Sequence, residues 1–414
     1  MLNYLSLRMN SKQLFEIAIG DIKPWHIETI EFKTSKGGKK ELHLTLDFVS
    51  GSVFTDTKGH SSKAYDTALR TWRHLNFFEH ECYIHAYVPR VTNEEGAIVR
   101  FQVPWARTNQ GFTLLFEAYA MSLIELEMPV SNVAKLVDEY DQRIWSIFHH
   151  HIAIAQAHTD YTNIKEVGID ETSRKKGHDY VTVGVDLEKR RVFDVQTGKD
   201  SACVERLGEF LDQKGSPKAE VTQVSIDMSP AFIKGCTDTF ANAALTFDHF
   251  HVTKEVNKAL DEVRKIERKE AKELKGHKYT FLKNPQSLND KKRAELQDLI
   301  KLYPTIGEAY RLKELFREFW TMDDVTKAEI FLTDWCVQVT KSKIQPMIKA
   351  ANTIKAHWSG IINFIQSKIS NGILEGINSK IQLAKKRARG YRNDNNFKSM
   401  ILFIAGKLNF DYPL

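Results

Sequence analysis

The chain has 414 residues, 42% of them hydrophobic and 27% charged, with a formal net charge of +6. That length implies two to four domains with at least one sizeable core, and the composition is that of an ordinary globular protein rather than a disordered or fibrous one. No apolar run approaches the ~20 residues that cross a bilayer, and the N-terminus "MLNYLSLRMNSKQLFEIAIGD" lacks a signal-peptide core, so a cytoplasmic protein without a membrane partner is expected.

Within residues 1 to 50 the piece "KKELHLTLDFVSGSVF" partly alternates apolar and polar residues, as a strand does. From about 60 to 108, "RTWRHLNFFEHECYIHAYVPRV" and "AIVRFQVPWAR" are aromatic and β-branched runs broken by turn residues, which predicts a small β module. The pattern turns helical near Thr113. It predicts one helix ending at Met128 and Pro129, a short helix capped by Ser131, and a third helix from about Asp141 that carries Arg143. Short helices joined by tight turns fit a helix-turn-helix whose last helix enters the major groove, and they equally fit plain scaffolding. The triplet "HHH" at 149 to 151 does not predict a metal site, because consecutive helical residues do not share a face.

Three strand-like runs follow, "EVGIDE", "DYVTVGVDL" and "RRVFDVQTG". After them come a helix "SACVERLGEFLDQKG", a strand "VTQVSIDM", a helix "SPAFIKGCTDTFANA", a strand "LTFDHFHV" and a charged helix from Thr253 to about Lys275. Three meandering strands and then alternating helix and strand are the element order of an α/β, ribonuclease H-like mixed sheet. From 275 to 360 amphipathic segments with Trp320, Trp335 and Trp358 predict a helical insertion. Two helices separated near Gly390 close the chain. The expected division is therefore 1–108, a β-rich module; 109–160, the helix-turn-helix; 161–274, the first part of the core; 275–360, the insertion; and 361–414, the completion of the core.

Charge is concentrated at the end. Eight basic residues between Lys380 and Lys407 face one acid, Asp394, which is the distribution a polyanion-binding surface requires. Lys385, Lys386, Arg387, Arg389 and Arg392 are the expected DNA contacts. The cysteines, Cys82, Cys203, Cys236 and Cys336, form no CxxC pair, so neither a disulfide framework nor a cysteine zinc site is expected.

Asp170 ends the first core strand and Asp227 the fourth. In the expected sheet these strands are neighbours, and two converging carboxylates resist ionisation unless a cation lies between them. Mg²⁺ is such a cation, held through one or two carboxylates with waters and phosphate oxygens. Glu375 is the choice for a third acid. At about 100° per residue, Glu375, Ser379, Gln382 and Lys386 lie opposite Ile373, Ile377, Ile381 and Ala384; the alternative is an ordinary surface glutamate. Three acids and two metal ions serve phosphoryl transfer without a protein nucleophile. The stretch "FDHFH" adds Asp248 and His251 at the end of the fifth strand, also on the expected active edge; His251 either contacts the scissile phosphate, orients a carboxylate, or is a satisfied histidine. Trp320 and Trp335 either stack on a flipped base or belong to a helical core.

The blocks "GIDETSRKKGHDYVTVGVDLEKRRV", "IDMSPAFIKG", "FDHFHVTKEVNKALDEVR" and "SNGILEGINSKIQLAKKRARGYRNDNNF" resemble the catalytic domain of bacterial insertion-sequence transposases of the ISL-three family. The resemblance extends from about 50 to 410. It implies a DDE enzyme with a ribonuclease H-like core and the triad Asp170, Asp227 and Glu375. It further implies Mg²⁺ as cofactor, replaceable by Mn²⁺, terminal inverted repeats and target DNA as partners, assembly as a dimer or larger on DNA, and a place with the bacterial nucleoid. Many such proteins carry a Cys/His zinc ribbon just after the segment that here reads "VPRV"; this chain continues "TNEEG", so no zinc is expected. The rival expectations are a ribonuclease H-fold nuclease or resolvase without strand transfer, and a DNA-binding regulator that has lost catalysis.

Overall fold

A computed structural model describes residues 10–412 apart from 57, 176, 178, 370 and 371. The chain divides into two compact units, Met1–Ala155 with Asn409–Leu414, and Gln156–Leu408. Among the described residues no helix is long and apolar enough to cross a membrane.

The first unit contains α1 (Ser11–Ile19), β1 (Trp25–Thr34), β2 (Lys40–Phe48), the short β3 (Val53–Thr55) and β4 (Ser61–Lys63), β5 (Asp66–Phe77), β6 (His80–Thr92) and β7 (Ile98–Arg100). One sheet runs in the order β1-β2-β6-β5, with β7 also paired to β6; β2 and β6 are parallel. The alternation in "ELHLTLDF" places Leu42, Leu44 and Leu46 in the core, and β6 contributes Cys82, Ile84, Ala86 and Val88. An aromatic cluster consolidates that face, with Trp25 against Trp105 at 5.2 Å, Phe54 at 5.3 Å and Phe101 at 6.0 Å between ring centres.

Next come α2 (Leu114–Glu125), α3 (Val130–Leu136) and α4 (Asp141–His158). The expected cap of α3 is corrected. The helix starts one residue before Ser131, because the Pro129 carbonyl already accepts from Asn132 and Val133 at 2.8 and 3.0 Å. Nor is "HHH" free on one face: His151 is buried against Glu117, at 3.2 Å.

In the second unit β8 (Glu166–Lys175), β9 (Asp179–Asp186) and β10 (Arg191–Thr197) form a meander. They are followed by α5 (Ser201–Gln213), β11 (Gln223–Ile226), α6 (Pro230–Thr239), β12 (Ala244–Phe247) and α7 (His249–Glu267). The sheet order is β10-β9-β8-β11-β12, antiparallel through the meander and parallel for β8, β11 and β12. Strands buried on both faces read as near-continuous apolar runs, as "YVTVGV" in β9 does. The expected helix at Thr253 begins four residues earlier, since Asp248 accepts the Phe250 amide at 3.1 Å and caps it. It also ends earlier, at Glu267.

All elements between 275 and 368 are helical: α8 (Lys278–Leu282), α9 (Asp290–Leu302), α10 (Pro304–Phe319), α11 (Val325–Ser342), α12 (Gln345–Ala356) and α13 (Trp358–Ser367). Two more helices, α14 (Gly372–Arg387) and α15 (Asp394–Ala405), end the unit. Two glycines let helices approach the sheet. A Cβ on Gly168 would meet Leu187 at 2.8 Å and Leu374 of α14 at 3.2 Å, and one on Gly360 would meet Phe247 of β12 at 2.4 Å, so α14 and α13 close on strands β8 and β12 only because both positions lack a side chain.

Candidate active site

Parallel pairing matches Ser225 with Gly168, and Ile226 with Phe247. Carried past the last paired residues, the same register sets Asp170, Asp227 and Asp248 at one level across three neighbouring strands ~4.8 Å apart. The expectation that Asp170 ends its strand is corrected, since β8 runs on to Lys175, whereas Asp227 and Asp248 directly follow β11 and β12. The Asp248 amide continues the ladder by donating to the Ile226 carbonyl at 3.0 Å. The third in the row is Asp248, at the edge where "FDHFH" leads one to expect it, and 2% exposed.

Burial pushes the Asp170 carboxyl up to about 6, and the charge of Asp227 adds to the rise. The Glu171 amide at 2.8 Å, the His251 charge and the Asn378 amide at 2.6 Å oppose it. Asp227 accepts the Ser229 amide at 2.9 Å. The Asp248 carboxylate holds His251 Nδ1 at 2.8 Å. That hydrogen bond raises the His251 pKa against the pull of burial, and the charges of Asp248, Asp227 and Asp170 add to it. His251 is therefore an imidazolium-favouring group facing the acids from the first turn of α7, not from a strand.

Helix α14 lies along β8 through polar contacts. Asn378 donates to Asp170, Gln382 to the Thr172 hydroxyl at 2.8 Å, and Lys385 to the Ser173 carbonyl at 2.6 Å. The face turned to the strand is thus Asn378, Gln382 and Lys385 rather than Ser379, Gln382 and Lys386. Glu375, one turn before Asn378, is exposed. Among the described residues no group of three or more His, Cys, Asp or Glu side chains forms a ready-made metal cluster. The donors present suit a hard divalent cation: carboxylate oxygens without thiolate, one of them, on Asp170, raised to about 6 by burial with the charge of Asp227 adding to the rise.

Several other expectations are corrected. Lys385 is half-buried and clamped to Ser173, so it is a structural tie rather than a DNA contact. Lys386, Arg387, Arg389 and Arg392 are exposed. Arg143 is exposed, paired with Glu139 at 2.6 Å and lying over the Phe112 ring at 4.1 Å. Trp335 is fully buried and donates its indole N–H to the Leu312 carbonyl at 2.8 Å, leaving no ring face for a base. Trp320 packs edge-on against Phe316 and Phe364, with centroids at 5.7 and 5.2 Å. In the β8–β9 hairpin, Arg174 grips Asp179 at 2.6 Å and donates to the Arg392 carbonyl at 2.6 Å, so the hairpin is pinned to the loop before α15. No sequence signal marks Asn378 or Arg174, because each acts on a partner far away in the chain or through a backbone atom.

A mixed sheet with Asp170, Asp227 and Asp248 level across three neighbouring strands, in a chain that also carries a three-helix pattern of helix-turn-helix type, fits the class of enzymes acting on DNA. Residues 167–401 match the DDE transposase family of ISL3-type elements, and residues 102–152 match the helix-turn-helix domain of transposase family ISL3. The chain belongs to the ISL3 family of transposases. It is 28% identical to the transposase for insertion sequence element IS1557 of Mycobacterium tuberculosis, over 96% of each chain. It is 23% identical to the transposase for insertion sequence element IS1001 of Bordetella parapertussis, covering 94% of this chain and 97% of that one.

Proposed function

We propose that the protein binds the terminal inverted repeats of an insertion sequence through residues 1–160 and cuts and joins DNA strands in a ribonuclease H-like core. Asp170, Asp227 and Glu375 would be its acids. The observation that carries the reading is the register that sets Asp227 level with Asp170 across β8 and β11. The strand order, with a meander first and two parallel strands added on the other side, supports the ribonuclease H-like assignment. Residues 161–274 and 361–414 would then form the core and 275–360 its helical insertion.

Asp170 and Asp227 would hold Mg²⁺, with Glu375 completing the set from α14. Two bound Mg²⁺ ions, or Mn²⁺ in their place, supply Lewis-acid stabilisation of charge on the attacking and leaving oxygens. The residues of the chain do the rest. Asn378 fixes the orientation of Asp170 and favours its ionised form. Asp248 anchors His251, whose cation faces the acids and is placed to meet a scissile phosphate oxygen. Lys386, Arg387, Arg389 and Arg392, on and just beyond the same helix, would grip the backbone of the DNA being cut. Acting on two element ends requires at least a homodimer on DNA.

The test is incubation of the wild type and Asp227→Ala with labelled end DNA and a target duplex in Mg²⁺ or Mn²⁺. Joined products from the wild type and none from the variant are expected. Nicks without joining would leave a nuclease, and wild-type activity in the variant would sink the acid assignment.

A further inference from the structure

We propose that the second unit carries a second duplex-DNA site, on the face of α14 turned away from the acidic row. It is a groove of about 730 Å³ in which Arg190, Lys368, Lys380 and Lys407 meet a single acid, Glu166. The four cations come from four places in the chain: the turn after β9, the end of α13, the middle of α14 and the residues after α15. All four are exposed.

The charge is left standing by the way the cations are held. Lys407 donates to the Lys189 carbonyl at 2.8 Å and Lys368 to the Met322 carbonyl. A carbonyl acceptor orients an ammonium without cancelling its charge, whereas the carboxylate that meets Lys165 or Arg191 does cancel it. Across the groove lining, cations outnumber acids four to one.

On α14 the groove takes Ile373, Gly376, Ile377 and Lys380, while Asn378, Gln382 and Lys385 face β8. At about 100° per residue these sets lie on opposite sides of the helix. The helix is thus a wall, with the acids on one side and an uncompensated basic channel on the other. An open cationic groove whose lining has no aromatic residue and four cations to one acid suits the phosphate backbone of a duplex, read without regard to sequence, rather than a small ligand. Resting on the reading of the chain as a DNA-joining enzyme, the duplex held here is the one that receives the cut end.

The experiment uses the full chain carrying Arg190→Gln and Lys380→Gln together, beside a control with Lys269→Gln and Lys291→Gln. Affinity for a random-sequence duplex is measured against salt in EDTA, and end cleavage and joining are measured with Mg²⁺. Each lost phosphate contact removes about 0.9 from the log–log salt slope. The groove variant is expected to lose about 2 in slope and about tenfold in affinity at moderate salt, to keep end cleavage, and to join poorly. A slope loss no greater than the control's, or joining that falls no further than cleavage, overturns the proposal. Because the slope is read without metal, it decides the groove even if the wild type proves unable to cut.

Discussion

Glu117 and Asp170 are both carboxylates enclosed by protein, and they behave in opposite ways. Burial alone pushes Glu117 up, but hydrogen bonds from His151 at 3.2 Å and from Arg107 at 2.7 and 2.8 Å outweigh it and hold the group below its ordinary range. Asp170 has only neutral amides and the more distant His251 to set against burial, and its neighbour Asp227 is another acid. Glu117 is complete within its own unit, where it ties the segment after β7 to α2 and α4. Asp170 is left short of positive charge. The difference separates a buried acid that holds a fold together from one that awaits a ligand.

The contrast can be broken most strongly at Asp170. Asp170→Asn should lower metal-dependent end cleavage by about a thousandfold or more, measured as initial rates, yet should not unfold the protein. The folded carboxyl keeps its proton up to about pH 6 whereas the unfolded one loses it near pH 4. Stability in EDTA therefore falls as pH rises between those values and stays lower above them. The variant escapes this, and at pH 7.5 should gain about 1–3 kcal/mol in denaturant unfolding. Added Mg²⁺ should stabilise the wild type and not the variant.

At Glu117 the prediction reverses. Glu117→Ala strands Arg107 and His151 and should cost about 3–5 kcal/mol by urea unfolding, with Mg²⁺ giving no rescue; a neutral effect would put the two acids in one class. Gly168→Ala drives a methyl group into Leu187 and Leu374 and should cost about 1–3 kcal/mol. Asn378→Ala sharpens the comparison with a smaller effect. It removes one of the amides that favour ionised Asp170, so the acidic limb of the cleavage profile should move to higher pH and the rate should fall about tenfold. An unmoved limb would mean that Asn378 only packs.

Much of the fold is legible in the amino-acid sequence. Asp170 and Asp227 each follow a short apolar run, which marks both acids, but β8 runs on to Lys175 and holds Asp170 in mid-strand, while Asp227 lies just past β11. The meander followed by helix–strand pairs predicts the sheet, and the break at Gly390 separates α14 from α15 as expected. What the sequence leaves open about single side chains has a common cause. In the sequence Lys385, Arg143 and Trp335 are known only by type, as a cation in a basic run, a cation on a third helix and an aromatic among helices. What each does depends on the group beside it in space: the Ser173 carbonyl, the Phe112 ring with Glu139, and the Leu312 carbonyl.

Local pattern by itself determined the elements, the two acids and the basic end of the chain, because propensity, periodicity and charge density are properties of neighbours in sequence. Tertiary structure alone decided the level at which Asp170, Asp227 and Asp248 stand on their strands, the face of α14 that Asn378 turns to Asp170, and the pooling of Arg190, Lys368, Lys380 and Lys407 in one groove. Register and helix rotation are set by packing between residues far apart in the chain, and in this protein two glycines, Gly168 and Gly360, set how closely α14 and α13 approach the sheet.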